Sequence, residues 1–375
     1  MSAEADLPEP DRVEGAPHPR ETPRLFGQGA AERAFLDAYA SGRLHHGWML
    51  TGPQGVGKAT LAWAIARFLL AQPADEEGGL FGEAPPAPES LAVPADHPVA
   101  RRVAALSEPG LFLLRRGPRD DGKALSAQIR VDEVRKLKGF FSLSAAEGGR
   151  RVVIVDAADD LNVNAANALL KLLEEPPPRA TLLLVAHQPA RLLPTIRSRC
   201  RELRLLPLAP EDMRAALEQA GVAVAPEEAQ ALAELSGGSV GAALRLSALG
   251  GVTLYGDLLR VLESLPRLDR GAALALSERA AGRGAEPVRD LLIELLDLAL
   301  LRLARTGATG APPPEAVPGE AATLARLAPD MAAARGWAEL GQALGARLRH
   351  GRAVNLDPAT LILDTVHRIA GQAAR

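Results

Sequence analysis

The sequence predicts an α/β fold in which a parallel sheet carries a phosphate-binding loop, followed by a long segment that is entirely helical. Short β-rich runs alternate with helical patterns as far as about residue 208, and this alternation is typical of a parallel sheet covered by helices. A glycine-rich loop at 52–58 joins one of these strands to a helix. After Pro210 the strand patterns end, and helical patterns interrupted by glycine and proline follow.

The composition indicates a protein of two or three domains without a disulfide framework. A chain of 375 residues exceeds the usual size of one domain, which is roughly 100 to 200 residues. The 43 basic and 46 acidic residues leave a net charge of −3, so the chain as a whole does not attract polyanions. Cys200 is the one cysteine, which excludes internal disulfides and four-cysteine zinc sites. We expect a cytoplasmic protein.

Neither export nor membrane insertion is expected from the sequence. The acidic start of the chain has no apolar core of the kind that a secretory signal requires. The most apolar long segment, 291–303, contains Glu294, Asp297 and Arg302, and charges at this density are costly in a bilayer. That segment is therefore predicted to be a packed helix.

Composition shifts divide the sequence into four parts. The first part is rich in proline and charge and lacks apolar periodicity, which predicts a disordered tail. Within the second part, a stretch rich in Pro, Gly, Glu and Asp predicts an irregular insertion. The Gly250-Gly251 pair predicts a hinge between two helical parts. The predicted parts are a tail at 1–21, a P-loop domain at 22–208 with its insertion at about 73–110, a small helical domain at 209–250 and a longer all-helical domain at 251–375.

Short apolar runs predict the strands of the sheet, and longer amphipathic patterns predict the helices between them. The helix before Pro176 must end there, because proline cannot continue a helix interior. The predicted strands are 48–51, 111–115, 151–155 and 181–185, and the predicted helices of this domain include 32–39, 60–71 and 164–175.

Residues 52–58 match the pattern G-x-x-x-x-G-K of a phosphate-binding loop. In such loops the glycines allow backbone N–H groups to curl around phosphate oxygens, and the lysine reaches the terminal phosphates. Because the loop joins a strand to a helix, we favour a phosphate site over a glycine turn that matches by coincidence. The predicted nucleotide-binding residues are Gly52, Pro53, Gln54, Gly55, Val56, Gly57, Lys58, Ala59, Thr60 and Asp156.

The position after the lysine lacks the group that binds magnesium in working P-loop enzymes. There a Ser or Thr hydroxyl ligates Mg²⁺, whereas this sequence has Ala59. Thr60 comes one residue later, and one residue on a helix turns a side chain by about 100°. Asp156 ends a predicted buried strand and is placed to hold Mg²⁺ through water.

Three motifs together resemble the clamp-loader branch of the AAA+ family. They are GPQGVGK at 52–58, NALLKLLEEPP at 167–177 and Ser-Arg-Cys at 198–200, of which the second is the most specific. The resemblance covers roughly residues 22–249. It implies an AAA+ P-loop domain, a helical lid domain and a C-terminal helical collar that mediates oligomerisation.

The Ser-Arg-Cys motif of that branch carries an arginine finger. The resemblance therefore implies that Arg199, flanked by Ser198 and Cys200, acts in the ATP site of a neighbouring subunit. An arginine finger contributes about 10³- to 10⁵-fold to phosphoryl transfer. The alternative is a structural or surface arginine.

Further departures from the active members of the branch imply a subunit that hydrolyses little ATP itself. Active members have a glutamate base where this sequence has Ala157, and a positioned base contributes about 10²- to 10⁴-fold. They also have a nucleotide-sensing arginine where this sequence has Gly241. Asp159 is considered as a substitute base. Many relatives carry a four-cysteine zinc module in the insertion, but 73–110 contains no cysteine, so neither zinc nor another metal site is expected.

The resemblance implies a largely ATPase-inert member of a clamp loader that belongs to a DNA polymerase III holoenzyme and loads sliding clamps during DNA replication. The implied partners are ATPase subunits and a delta subunit in a hetero-oligomeric ring, with the sliding clamp and primer-template DNA contacted indirectly or weakly. ATP and Mg²⁺ would bind weakly at a vestigial site. One alternative is a catalytically active AAA+ clamp-loader ATPase that uses Thr60 and Asp159. Another is a DNA-binding module outside any clamp loader, which the 3% aromatic content disfavours.

Four further residues each have two interpretations. His45 and His46 precede a strand, where neighbours point to opposite faces, so packing is favoured over a shared metal. His187 follows the last predicted strand near the position from which active relatives sense the γ-phosphate, and it either contacts nucleotide or packs. Phe26 resembles a residue of the adenine-side loop, the alternative being an N-terminal anchor.

Overall fold

The chain forms two compact units in the computed structural model. The structure describes residue 9 and residues 11–12, 15–72, 88–119, 123–143, 149–282, 284–354 and 356–375. The first unit comprises Met1–Leu208 with Gln219–Gly221, and the second comprises Ala209–Glu218 with Val222–Arg375. Within the described ranges, no helix is both long enough and apolar enough to cross a membrane.

The first unit alternates strands with helices, as the sequence predicts. Its elements, in chain order, are α1 (Gly29–Ala40), β1 (Gly47–Thr51), α2 (Lys58–Ala71), α3 (Pro98–Ala104), β2 (Leu111–Arg115), α4 (Val131–Leu143), β3 (Arg151–Asp156), α5 (Val163–Glu174), β4 (Ala180–Val185), α6 (Pro194–Arg197) and β5 (Arg201–Arg204).

The five strands that the structure describes form one parallel sheet in the order β2-β3-β4-β1-β5. Every residue of β1, β3 and β4 is buried, which explains their continuous apolar sequences, because helices cover both faces of a parallel sheet. At the carboxyl edge of the sheet, Leu50 and Asp156 are each level with Val185. The predicted α/β fold with a parallel sheet is confirmed.

Helix α5 shows how the local sequence sets the ends of an element. Asn162 accepts a hydrogen bond from the backbone N–H of Ala165 at 2.8 Å and so caps the first turn. Leu169 and Leu173 are buried on the face that packs against the sheet. The helix ends at Glu174, shortly before Pro176, because the proline ring excludes a further helical turn.

The insertion predicted at 73–110 contains a helix where the sequence indicates irregular chain. Residues 73–87 lie outside the described residues, but Pro98–Ala104 forms α3. Val99 and Val103 are buried, and His97 caps the helix by accepting from the backbone N–H of Val99. Two buried valines and one buried alanine in a helix of seven residues are too few to give a repeating apolar pattern, which is why the sequence does not reveal this helix.

The described residues within the predicted tail at 1–21 are packed rather than disordered. The side chain of Asp11 lies 2.8 Å from Arg115 and 3.2 Å from His18. The Arg67 guanidinium donates to the backbone carbonyl of Arg20 at 2.7 Å. Paired charges hold this segment in place, and for these residues the expectation of a tail, which rested on missing apolar periodicity, is wrong.

The second unit is helical throughout its described residues, which confirms the predicted change from sheet to helices. Its helices are α7 (Pro210–Gln219), α8 (Pro226–Leu235), α9 (Val240–Ala248), α10 (Gly251–Glu263), α11 (Arg270–Ala281), α12 (Glu286–Thr309), α13 (Glu320–Leu327), α14 (Met331–Ala353) and α15 (Pro358–Ala373).

The predicted hinge at Gly250-Gly251 is a break between two helices of one compact unit. Helix α9 ends at Ala248 and α10 begins at Gly251. Gly250 between them has a φ of +66°, a left-handed conformation that glycine adopts without steric cost. The chain thus turns here within the second unit.

A fully buried glutamate organises the centre of the second unit. The Glu320 carboxylate accepts hydrogen bonds from the Tyr255 hydroxyl and from Arg302 Nε, both at 2.6 Å, and from the backbone N–H of Ala316 at 2.7 Å. Arg302 also donates to the Pro314 carbonyl. A buried charge is stable only when it is paired and hydrogen-bonded, and these contacts meet that condition while joining α10, α12 and α13.

We expect Glu320→Ala to lower the free energy of unfolding by about 3 to 5 kcal/mol, because the buried Arg302 guanidinium then keeps only the more distant Glu234 carboxylate, at 3.7 Å, as an acidic partner. Chemical denaturation of the full chain measures this change. The exposed Glu339 on α14 provides the control, for which we expect a change within about 0.5 kcal/mol. A loss from Glu320→Ala as small as that of Glu339→Ala would contradict the central role of Glu320.

Candidate functional site

The glycine-rich loop occupies the turn between β1 and α2, and its backbone requires glycine. Gly52, Gly55 and Gly57 have φ values of +136°, +81° and +101°. A Cβ atom at position 52 would lie 2.4 Å from the Leu205 carbonyl oxygen, and one at position 57 would lie 2.6 Å from Leu25 Cδ1. The loop therefore combines left-handed backbone with close approach, as a phosphate cradle in front of a helix N-terminus does.

Lys58 is buried at the first position of α2 and closes this loop. Its ammonium group donates to the carbonyl oxygens of Gly52 and Pro53 at 2.7 and 2.5 Å. Burial lowers the pKa of Lys58 to about 8, against the attraction of Asp159 and Asp156. The Lys58 ammonium group thus lies inside the curve of the glycine-rich loop, where a bound phosphate would be placed.

The structure places Ala59 and Thr60 in the first turn of α2, beside the loop. Ala59 has no hydroxyl to ligate Mg²⁺, and the Thr60 side chain is rotated about 100° from that position. The glycine cradle and Lys58 thus fit a phosphate group, whereas the residues after Lys58 do not complete the usual Mg²⁺ ligands.

Asp156 is the last residue of β3 and is almost completely buried. Burial raises the pKa of its carboxyl group to about 7; Asp11, Asp160 and Asp159 add to this shift and Lys58 opposes it. Ala157, which follows, is also buried and offers no carboxylate. In the described ranges, no group of three or more His, Cys, Asp or Glu side chains is arranged to hold a metal ion.

The Asp159 carboxylate connects two loops at the carboxyl edge of the sheet. It accepts hydrogen bonds from the backbone N–H of His187 at 2.9 Å and of Gln188 at 3.3 Å. These bonds tie the turn after β3 to the loop after β4. This linking role was missed in the sequence, because the partners lie about 28 residues apart along the chain.

His187 lies at the carboxyl edge near Lys58. Burial lowers its pKa, and the charge of Lys58 acts in the same direction while Asp159 and Asp160 oppose it. Its Nδ1 atom is buried and makes no hydrogen bond within the described part of the chain. The ring packs beside Lys58 at the carboxyl edge, and nucleotide contact by His187 stays a prediction alongside the packing interpretation.

The Ser-Arg-Cys motif lies at the opposite edge of the sheet, just before β5 begins. Arg199 follows α6, and its carbonyl oxygen would be 3.0 Å from a Cβ atom at Gly47, the first residue of β1. Arg201 at the start of β5 is level with Trp48. Because the strands are parallel, Arg199 is at the amino edge, while Gly52 leaves β1 at the carboxyl edge.

The three residues of the motif have different environments. The Arg199 side chain is 38% exposed and its NH2 group lies 3.0 Å from Glu174 Oε1. Its NH1 group donates to the Thr195 carbonyl at 3.0 Å, and the Ser198 hydroxyl donates to the same carbonyl. Cys200 packs against the core, and burial raises the pKa of its thiol to about 12. The motif therefore presents a cation and an unreactive thiol.

His45 and His46 have packing roles, as the favoured interpretation of the sequence expects, but the expectation that their side chains point to opposite faces is wrong. Their rings stack with centroids 4.4 Å apart. His46 Nε2 lies 2.9 Å from the Leu173 carbonyl, and His45 Nδ1 lies 2.8 Å from the Gly47 carbonyl. Both rings thus hold backbone at the amino edge of the sheet.

A family model described as DNA polymerase III, delta subunit, matches residues 27–209. The DNA polymerase III subunit delta' of Pseudomonas aeruginosa is 40% identical over 225 residues, which are 60% of this chain and 61% of that protein. Residues 27–209 are thus similar to the delta and delta' proteins of DNA polymerase III. The resemblance to subunits of DNA polymerase III that the motifs indicate is thereby confirmed.

Two further relatives and one solved structure show similarities of different extent. The delta' subunit of Escherichia coli is 33% identical over 214 residues, 56% of each chain. The gamma/tau subunit of Mycobacterium tuberculosis is 29% identical over 311 residues, 74% of this chain and 49% of that protein. The RuvB Holliday junction branch migration motor of Thermotoga maritima covers 75% of this chain and 78% of its own, at 17% identity and a TM-score of 0.38.

The matches to the delta-prime family centre on the first unit. The family model spans the glycine loop, Asp156 and Arg199 and ends at residue 209, just before α7. This chain aligns with 61% of the Pseudomonas protein and 56% of the Escherichia protein. The residues at both edges of the sheet thus lie inside the segment 27–209 that matches the family model.

Asp156→Asn should change how stability depends on pH. The Asp156 carboxyl group has a pKa of about 7 in the folded chain and about 3.9 in the unfolded chain. Its ionisation therefore destabilises the fold progressively as pH rises through that range, at about 1.4 kcal/mol per pKa unit. The variant cannot ionise there, so its advantage over the parent chain should widen between about pH 5 and pH 7.5.

Thermal unfolding across this range measures the difference between the two proteins. Asp132→Asn, at an exposed position of α4, is the control and should keep a constant difference from the parent. A constant difference for Asp156→Asn as well would show that burial does not raise the pKa of Asp156.

Proposed function

We propose that this chain is a clamp-loader subunit of a DNA polymerase III holoenzyme, a ring member that hydrolyses little ATP and donates Arg199 to the ATP site of a neighbouring subunit. The observation that carries the proposal is the separation of Arg199 from the chain's own phosphate cradle. The similarity of residues 27–209 to the delta subunit family model, and of the chain to delta' subunits of DNA polymerase III, supports the clamp-loader context.

The parallel sheet keeps Arg199 away from the glycine loop of its own chain. Arg199 lies beside Gly47, where β1 begins, and the loop starts at Gly52, where β1 has ended. Five residues of strand span about 16 Å, more than twice the length of an arginine side chain. An arginine finger at this place therefore serves a second molecule.

The chain's own site retains the phosphate cradle and lacks the groups of hydrolysis. Ala59 offers no Mg²⁺ ligand, and Ala157 offers no base for the attacking water. The Asp159 carboxylate, considered as a substitute base, accepts bonds from two backbone N–H groups. Gly241, in the first turn of α9, has no side chain with which to sense nucleotide. These features support weak or vestigial binding of ATP and Mg²⁺.

The helices of the second unit support assembly with other subunits. Leu301 on α12 is 65% exposed, and Leu274 on α11 and Met331 on α14 are about half exposed. Each of these side chains would gain free energy if a partner covered it, although singly exposed apolar residues also occur on monomeric proteins. We propose that ATPase subunits of the gamma/tau kind and a delta subunit complete a hetero-oligomeric ring, which contacts the sliding clamp and primer-template DNA chiefly through those subunits.

We expect Arg199→Ala to lower the DNA-stimulated ATPase rate of the assembled complex by at least about 10-fold without preventing assembly. Arg199→Lys should fail to restore the rate, because lysine lacks the planar fork that contacts two phosphate oxygens. Steady-state ATPase assays on complexes reconstituted with the ATPase and delta subunits of the same organism measure the effect.

The neighbouring Arg197 offers a matched control, since it is also exposed and its removal changes the charge equally. Arg197→Ala complexes should retain the parent rate. Unchanged ATPase in a fully assembled Arg199→Ala complex would refute the finger role.

The alternative of a catalytically active ATPase subunit is tested on the purified chain alone. We expect no saturation by a fluorescent ATP analogue at micromolar concentrations, because the Mg²⁺ hydroxyl is replaced by Ala59, and no turnover above background. Ala59→Thr should strengthen binding in the presence of Mg²⁺ and leave binding without Mg²⁺ unchanged. Turnover by the parent chain that Lys58→Ala abolishes would instead establish the active enzyme.

A further inference from the structure

The Arg199 guanidinium is held at the surface by Glu174, the last residue of α5. Arg199 NH2 lies 3.0 Å from Glu174 Oε1, and the two side chains are 38% and 43% exposed. On its other side, Arg199 NH1 donates to the Thr195 carbonyl at 3.0 Å. The guanidinium thus has two anchors on two different elements.

Folding stability does not explain this pair. Ion pairs between exposed side chains contribute little to stability, because water screens the charges and two long side chains lose freedom. The anchors nevertheless fix the direction of the guanidinium. A guanidinium has five N–H donors, and the contacts described for Arg199 use only its terminal nitrogens, so Nε and further N–H groups remain available to a phosphate.

The backbone beneath the pair is fixed by contacts at the start of β1. His46 Nε2 lies 2.9 Å from the Leu173 carbonyl and so holds the last turn of α5. A Cβ atom at Gly47 would be 2.9 Å from Leu173 Cδ2 and 3.0 Å from the Arg199 carbonyl. A side chain at position 47 would displace the end of Leu173 and press on the Arg199 carbonyl oxygen, so glycine allows both segments to pack closely against the start of β1.

From this geometry we infer that Glu174 is a positioning residue, which aims the Arg199 side chain at the phosphate groups of a nucleotide bound by a neighbouring subunit. The inference rests on the proposed function of Arg199 as an arginine finger. A carboxylate on a fixed helix end selects one direction for a long side chain that would otherwise sample many rotamers. Pre-set geometry matters because misplacing a catalytic group by about 1 Å can cost up to about 10²-fold in rate.

The test uses the reconstituted complex with variants at three positions. Glu174→Ala should lower the maximal DNA-stimulated ATPase rate about 3- to 10-fold with little change in KM for ATP, because nucleotide binding belongs to the neighbour. Glu174→Gln, which keeps the shape of the side chain and loses its charge, should also lower the rate. Glu175→Ala, which removes the same charge from the next, exposed residue, should leave the rate unchanged.

A double variant separates positioning from a general effect on the surface. If Glu174 acts through Arg199, Glu174→Ala combined with Arg199→Ala should be no slower than Arg199→Ala alone. ATPase rates are expressed per mole of complex isolated by gel filtration, so that poor assembly of a variant is not mistaken for a lower ATPase rate.

The outcomes distinguish this inference from the proposed function. If Arg199→Ala itself leaves the rate unchanged, the finger role fails and the positioning role fails with it. If Arg199→Ala slows the complex while both Glu174 variants match the parent, only the positioning role is refuted. A faster Glu174→Ala complex would also refute it, since Glu174 would then restrain the finger.

Discussion

The common direction of the strands is the constraint on which the functional arrangement depends. Every strand that the structure describes in the first unit runs parallel to its neighbours, so loops that leave strands lie at one edge and segments that enter strands lie at the other. The glycine loop and Asp156 belong to the first group and Arg199 to the second. Because β1 lies between β4 and β5, the glycine loop that follows β1 lies near the loop that follows β4. At the other edge, Arg199, which precedes β5, lies near the start of β1.

The alanines at positions 59 and 157 stand in places where small residues pack well. Ala157 is buried at the end of β3, and Ala59 lies within the first turn of α2, where alanine has a high helix propensity. Asp156 is different, since ionising a buried carboxyl group costs free energy. The carboxyl edge of the sheet thus combines well-packed alanines with one carboxyl group, that of Asp156, whose ionisation opposes folding near neutral pH.

The sequence predicts those parts of the molecule that depend on local pattern. Apolar runs locate β1 to β4, and Pro176 explains the end of α5, whose observed bounds differ from the predicted ones by one residue. Contacts between charged groups far apart in sequence leave no local pattern. Asp11 and Arg115 are separated by 104 residues, and neither the packed segment around Asp11 nor the Glu174 to Arg199 pair was predictable from periodicity or spacing.

The charged groups at the two edges of the sheet differ in how their charge depends on pH, and this difference bears on the proposed function. The charges of Lys58 and Asp156 vary near neutral pH, since burial brings their pKa values to about 8 and about 7. A guanidinium keeps its charge under all physiological conditions. The charge of Arg199 is therefore constant, whereas the chain's own cradle is electrostatically variable. This difference suits the proposed function, in which Arg199 serves the ATP site of a neighbour.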